Sequence, residues 1–305
     1  MNWLILLLLI PAVIVPAVLC FGFAGCGFHG AVIVPTVPTN LVAMPTPSVD
    51  AGSSVILTWT KTDPNASTGT QIERAIDGGT FEVLPDPSNP GNSLVVMGET
   101  FTDAGLPGGT TFLYQVRASL FGNTSIDASN MATVTTFKTA FMDDGLATST
   151  DQPSTNGDTI VQTLTSALLQ ASGALVNLTL RGPSTGALTL DHVYVSTVAA
   201  AGDPFDSDVP PVLVTANFAL NNSTAAIAPM GAFVLDQSKT LLVAFDVNTV
   251  SGAMRYGTLP QGGVTSYARG PTAPGGSVGE AGTMNRTAPY TPASVLYLIH
   301  KIEVM

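Results

Sequence analysis

Residues 182–186 read Gly-Pro-Ser-Thr-Gly, a formal G-x-S-x-G, and Asp191 and His192 follow. A serine, an acid and a histidine in that order can serve nucleophilic acyl transfer when the serine sits on a sharp strand-to-helix turn. Here the flanking runs LVNLTLR and ALTLDHVYV both alternate as strands, so the pentapeptide joins two strands. Asp191 and His192 are neighbours on one of them, and adjacent strand residues face opposite ways. Ser184 is therefore not expected to be a nucleophile. The three histidines, His29, His192 and His300, lie far apart with no i, i+4 pair, which argues against a His-based metal site.

Asp203, Asp206 and Asp208 share the loop GDPFDSD. Closely spaced carboxylates can collect Ca2+, which takes six to eight oxygens. The spacing does not match an EF-hand loop and the remaining ligands are not visible, so a solvated acidic loop is the favoured reading. Asp143 and Asp144 make a weaker pair still. No cofactor is expected, and the absence of a convincing acid–base or nucleophile constellation points away from an enzyme. The two cysteines, Cys20 and Cys26, both lie in the apolar N-terminal stretch, so the body has neither a disulfide framework nor a Cys-based zinc site.

Several elements must carry these residues. The chain has 305 residues, enough for about two domains. Only 10% of residues are charged, against roughly 25% in an ordinary soluble domain. Gly, Pro, Ser, Thr, Asn and Ala fill the gap, which suits turn-rich β structure. Net charge is −11 and the ten basic residues are scattered, so no nucleic-acid footprint is present.

The segment WLILLLLIPAVIVPAVLCFGFAG, residues 3–25, carries no charge and is long enough for a spanning helix of about 20 residues. Residues 1–30 are expected to be a membrane anchor that is retained. FAGC, residues 23–26, resembles the box that precedes a lipidated cysteine, which makes Cys26 a lipidation candidate. A cleaved secretory signal is disfavoured by the long apolar run and the missing basic start. The low-charge, Thr-rich body is expected outside the cytoplasm, periplasmic or at the cell surface. Residues 31–37 read as a Pro-spaced linker.

From residue 38 to 138 short alternating runs follow one another. SSVILTWT points Val55, Leu57 and Trp59 to one side. Asp77-Gly78-Gly79 marks a hairpin turn. TTFLYQVRASL places Phe112, Tyr114, Val116 and Ala118 on one face. With Trp59 on the second strand and GLPGGTTFLYQVRA as corner and sixth strand, this stretch resembles a fibronectin type III domain. The resemblance implies a β-sandwich that serves as a spacer or interaction module. Trp59 and Tyr114 are then core residues. Phe112 stands where the family has its corner tyrosine, so that hydroxyl hydrogen bond is expected to be lost.

Residues 139–305 read as a second β-sandwich of jelly-roll type, from runs such as ALVNLTLRG, ALTLDHVYVSTV, PVLVTANFAL and TLLVAFDV. Val176, Leu178 and Leu180 are expected to share a face. The closing run SVLYLIHKIEVM is expected to be one strand with Leu296, Leu298, Ile302 and Val304 on one side. TIVQTLTSALLQA is ambiguous between strand and short helix. The pattern resembles, weakly, accessory and carbohydrate-binding-like domains of bacterial and phage surface proteins. A long Gly- and Pro-rich stretch, residues 256–292, is the best candidate for a partner-binding surface. Tyr256, Tyr267, Arg269 and Tyr290 would be its anchors, because Tyr and Arg are enriched at binding hot spots.

The expectation is an all-β, non-catalytic, membrane-anchored structural or interaction protein, an accessory or scaffold subunit with other protein subunits as partners. A surface glycan-binding protein and a phage or virion surface protein are the alternatives. The glycan reading lacks tryptophan platforms, since Trp3 falls in the anchor and Trp59 in a core.

Overall fold

The computed structural model describes residues 34–49, 52–63, 68–120, 123–145, 150–152, 156–174, 176–222, 224–228, 233–248, 253–259, 262–270 and 279–305. The proposed anchor, with Cys20, Cys26 and His29, lies outside the described residues. Among the described residues no helix is long and apolar enough to cross a membrane.

The first half is built from β1 (Thr39–Thr46), β2 (Ser53–Thr60), β3 (Gly69–Ile76), β4 (Glu82–Val83), β5 (Val95–Val96), β6 (Thr100–Leu106), β7 (Thr111–Leu120), β8 (Asn123–Thr124) and β9 (Ala132–Thr135). One sheet has the order β1-β2-β6. The other has the order β4-β3-β7-β8, with β5 also on β3 and β9 on β7. All these pairs are antiparallel, which gives a fibronectin-III-like β-sandwich. The period-2 reading holds: Val55, Leu57, Trp59, Phe112, Tyr114 and Val116 are buried in one core with Ile72 and Val134. Asp77 and Gly78 both have positive φ, 48° and 79°, as a two-residue hairpin turn requires. Phe112 is fully buried, and the hydroxyl missing there is supplied two residues on. Tyr114 donates to Asp103 Oδ2 at 2.8 Å, and Arg74 Nη1 reaches the same oxygen at 2.7 Å.

The second half comprises β10 (Lys138–Met142), β11 (Thr150–Gln152), β12 (Thr159–Leu164), β13 (Val176–Arg181), β14 (Ala187–Thr197), β15 (Val212–Asn221), β16 (Ala225–Ala228), β17 (Leu241–Val247), β18 (Met254–Gly257), β19 (Val264–Arg269), β20 (Thr291–Ala293), β21 (Leu296–Tyr297) and β22 (Ile299–Val304). A six-stranded sheet, β15-β14-β17-β12-β19-β20, packs against a four-stranded one, β10-β22-β13-β16. Leu178, Leu180, Leu188, Leu190, Phe245 and Ile302 fill the space between them. A small third sheet runs β11-β18-β21. The ambiguous run 159–171 divides: the β-branched half forms β12, and Ser166–Leu168 makes one 3-10 turn.

One expectation about strand continuity and one about side-chain parity are corrected, while Leu296, Leu298, Ile302 and Val304 all enter the main core. The closing run is not one strand. Leu298 has φ of +59°, rare for a bulky residue, and there the chain leaves β18 for the neighbouring sheet. The turn is held from both sides, because Leu298 N–H donates to Arg255 O and Leu298 O accepts from Arg181 N–H. In β14 the inward set switches from Leu188 and Leu190 to Val193 and Val195. Asp191 is an extra residue, since Leu190 pairs with Val247 and His192 with the next residue, Asp246. A bulge of this kind leaves two successive side chains off the core face, so Asp191 and His192 are not on opposite faces.

Candidate functional site

β17 is buried at every position, so the six-stranded sheet is covered on both sides. Phe245 and Val243 face the main core. Leu242 and Ala244 face a second apolar cluster, formed with Val161, Phe205, Ala281 and Tyr290. That outer cover comes from the loop around Phe205 and from a strap, residues 279–290. The Phe205 ring lies 4.6 Å from Tyr290 and 5.5 Å, edge-on, from Tyr267.

Polar groups fasten the strap to the loop and the sheet. Arg286 is 5% exposed. Its guanidinium donates to the carbonyls of Phe205 and Ala281 and to Ser207 Oγ, and its backbone N–H donates to Asp206 Oδ1 at 2.8 Å. Buried Arg269 pairs with Glu280 and lies under the Tyr290 ring at 5.9 Å. The Tyr290 hydroxyl donates to Glu280 Oε2 at 3.1 Å. Asp246 Oδ1 accepts from Thr159 Oγ1 at 2.6 Å and from the Ala281 N–H at 3.2 Å.

Burial pushes the Glu280 carboxyl up, but the hydrogen bonds from Arg269 and Tyr290 outweigh it and hold the group below its ordinary value. Burial wins at Asp246, which is raised despite its bonds to Thr159 and Ala281. Burial also raises the Tyr290 phenol and lowers Arg286. These hydrogen bonds run between strap, loop and sheet, so the arrangement braces the fold.

The structure thus brings together residues from two separate expectations. Tyr267, Arg269 and Tyr290 meet Asp206 in one cluster, but inward. Arg269 and Tyr290 are buried, and Tyr267 is half-buried against Phe205, so they do not stand out as hot-spot anchors. Tyr256 sits apart, half-buried against Tyr297 at 5.9 Å. The stretch 256–292 is not one loop, because β19 and the strap occupy much of its described part. The acidic loop does not converge on a cation. Asp206 is turned to Arg286 and the Asp203 N–H, while Asp208 lies 3.9 Å from Lys239. Among the described residues no group of three His, Cys, Asp or Glu side chains is placed to hold a metal.

The serine, aspartate and histidine singled out above each turn to other partners. Ser184 Oγ donates to Asp151 at 2.5 Å, Asp191 accepts from Asn248 at 2.7 Å, and His192 Nδ1 faces Asp246 at 3.7 Å. Asp143 takes the Gly145 N–H, and Asp144 is exposed.

A second constellation escaped the sequence reading. The loop after β1 meets the last strand of the chain. Lys301 Nζ donates to Ser48 O at 3.0 Å and Gly52 O at 3.3 Å, and it pairs with Glu303 at 2.7 Å. His300 places Nε2 3.0 Å from Val49 O and Nδ1 2.8 Å from Asp143 O. Lys301 and Glu303 are essentially inaccessible to solvent. The only hint in the sequence was a Lys and a Glu inside an otherwise apolar closing run, where isolated charge is costly unless paired.

Asp158 yields a prediction of its own. It precedes β12, and burial raises its carboxyl to about 6. A folded value above the unfolded one means the folded state holds the proton more tightly. Ionising Asp158 therefore costs stability as pH rises from about 4 to about 6, and the cost persists above that window. Asp158→Asn should raise unfolding free energy at pH 7.5 by roughly 1 kcal/mol, a figure discounted for half-burial. It should leave stability at pH 3.5 unchanged. Urea titrations at the two pH values measure both, and equal effects at both would refute the assignment.

No protein-family model matches the chain, and no curated protein sequence matches it. Among solved structures, a Fn3-like protein from Clostridium thermocellum aligns at 24% identity over 34% of this chain and 95% of its own, with a TM-score of 0.26. A bacterial orthologue of human α-L-iduronidase aligns at 25% identity over 31% of this chain, with a TM-score of 0.26; the alignment takes in 14% of that enzyme. The FN1–FN3 domains of chicken CNTN1 align at 8% identity over 87% of this chain and 67% of theirs, with a TM-score of 0.31.

Proposed function

We propose that the protein is a non-catalytic structural subunit, held to a membrane by residues 1–30, that presents two braced β-sandwiches to protein partners outside the cytoplasm. The observation that carries this reading is how the buried polar groups are used. In the strap and where the residues after β1 meet β22, their hydrogen bonds close loops onto sheets. A joint made by His300, Lys301 and Glu303 suits a spacer, because it favours one setting of the two halves. The low charge and the uncharged apolar run at residues 3–25 support the anchor. In this reading the first half is a fibronectin type III module and the second a jelly-roll-type sandwich, folds that host many functions.

Membrane fractionation of the full chain tests the anchor. Retention in the pellet after alkaline carbonate is expected, and release into the supernatant would remove it. Chemical crosslinking of intact membranes tests the rest. A discrete, stoichiometric adduct that maps to the described sandwiches is expected. Recovery of the monomer alone, across crosslinkers of several lengths, would count against the subunit reading.

A further inference from the structure

A row of polar side chains lies between β13 and β22. Asn177 lies directly across from Glu303, and Thr179 directly across from Lys301. Residues separated by two share a face of a strand, so the four side chains form one block on the outer face of the four-stranded sheet. Thr139 of β10 also pairs with Glu303, from the other side, and the carbonyls of Ser48 and Gly52 accept from Lys301. Among the described residues the Asn177 Nδ2 and Thr179 Oγ1 atoms are buried without a hydrogen-bond partner. Buried groups left so are few in native proteins and ask for a reason.

We propose that Lys301 and Asn177 become joined by an amide bond between their side chains, with Glu303 moving the proton. The register places them as diagonal neighbours, whose Cβ atoms lie about 7 Å apart or less, a gap that long side chains bridge. Glu303 stands opposite the amide and 2.7 Å from the amine. Nζ attacks the Asn177 carboxamide carbon and the Nζ–Cγ bond forms. Glu303 takes the proton from Nζ and hands it to Nδ2, the Cγ–Nδ2 bond breaks, and ammonia leaves. One amide replaces another, with no oxidant, reductant or cofactor. Burial raises the Glu303 carboxyl, which makes it a resting place for a proton in transit. The carbonyls of Ser48 and Gly52 hold the lysine nitrogen in place, and the strand register keeps the pair on one face, which raises its effective concentration. The product ties the final strand covalently to β13.

A tryptic digest of the unreduced full chain, purified in detergent, tests this. An unlinked protein releases residues 139–181 and is cleaved after Lys301. The linked protein resists cleavage there and yields one species, residues 139–181 joined to 287–305, lighter than the sum by about 17 Da for the lost ammonia. Fragmentation should locate the bond at 177 and 301. Glu303→Gln should reduce the linked species at least tenfold, and Asn177→Ala should abolish it. Separate peptides from the wild-type chain would overturn the proposal. So would a 17 Da loss confined to residues 139–181, the sign of a cyclised asparagine instead. A linked species undiminished in Glu303→Gln would overturn the part given to Glu303.

Discussion

Arg286→Ala is expected to lower the stability of the second sandwich by about 3–5 kcal/mol, the range for breaking a buried charged network. The side chain donates to two backbone carbonyls and a serine hydroxyl from a site 5% exposed. Without it, the carbonyls of Phe205 and Ala281 stay buried and lose their donor. The strap and the Phe205 loop cover Leu242 and Ala244 only while they are tied to each other, so the outer cluster should open. A fall in Tm of about 10 °C follows for a domain of this size. Proteolysis should then cut first within residues 279–290. Arg286→Lys should recover little, because an ammonium lacks the fork that reaches separated acceptors. A Tm within 2 °C of the wild type for Arg286→Ala would show that the strap is held by apolar contact alone.

The second large effect belongs to the first sandwich. Asp103 is buried and receives both the Tyr114 hydroxyl and Arg74. Asp103→Ala leaves the fully buried Tyr114 hydroxyl unpaired, whereas Arg74, at 26% exposure, can turn partly to water. The expected cost is about 2–4 kcal/mol, most of it from the stranded hydroxyl. Tyr114→Phe alone should cost about 1 kcal/mol. The double variant should be less damaged than the sum by about 1 kcal/mol, because removing both partners also removes the stranded group. Denaturant melts that report each domain separately should show the loss in the first sandwich only. Strict additivity would mean that the hydroxyl gains nothing from Asp103.

Both expectations rest on groups whose role was only partly legible in the sequence. Tyr114 was readable as core from strand parity, and so were Trp59, Val55 and Leu57, because a period of two fixes which side chains enter a half-buried sheet. What the Tyr114 hydroxyl bonds to was not readable. Asp103 lies on β6, outside any local pattern, and reaches Tyr114 only when the two sheets close on each other.

The same limit explains the second half of the chain. Alternation announced strands there, and the all-β character was plain from composition. Parity failed at the Asp191 bulge, since one extra residue flips every side chain after it, and strand continuity failed at Leu298. Tyr256, Tyr267, Arg269 and Tyr290 were singled out as anchors of a partner-binding surface, and Arg269 and Tyr290 are instead buried. The sequence could not say that they point inward, because the apolar surface that accepts them is the outer face of β17 and β12, supplied by distant segments. Lys301 and Glu303 carried the weakest signal and acquired the most specific surroundings. Composition and periodicity by themselves determined strands, turns and the first core, because those depend on neighbours along the chain. Only the tertiary structure decided which polar groups are buried together, because burial is a property of surfaces that meet after the chain has folded.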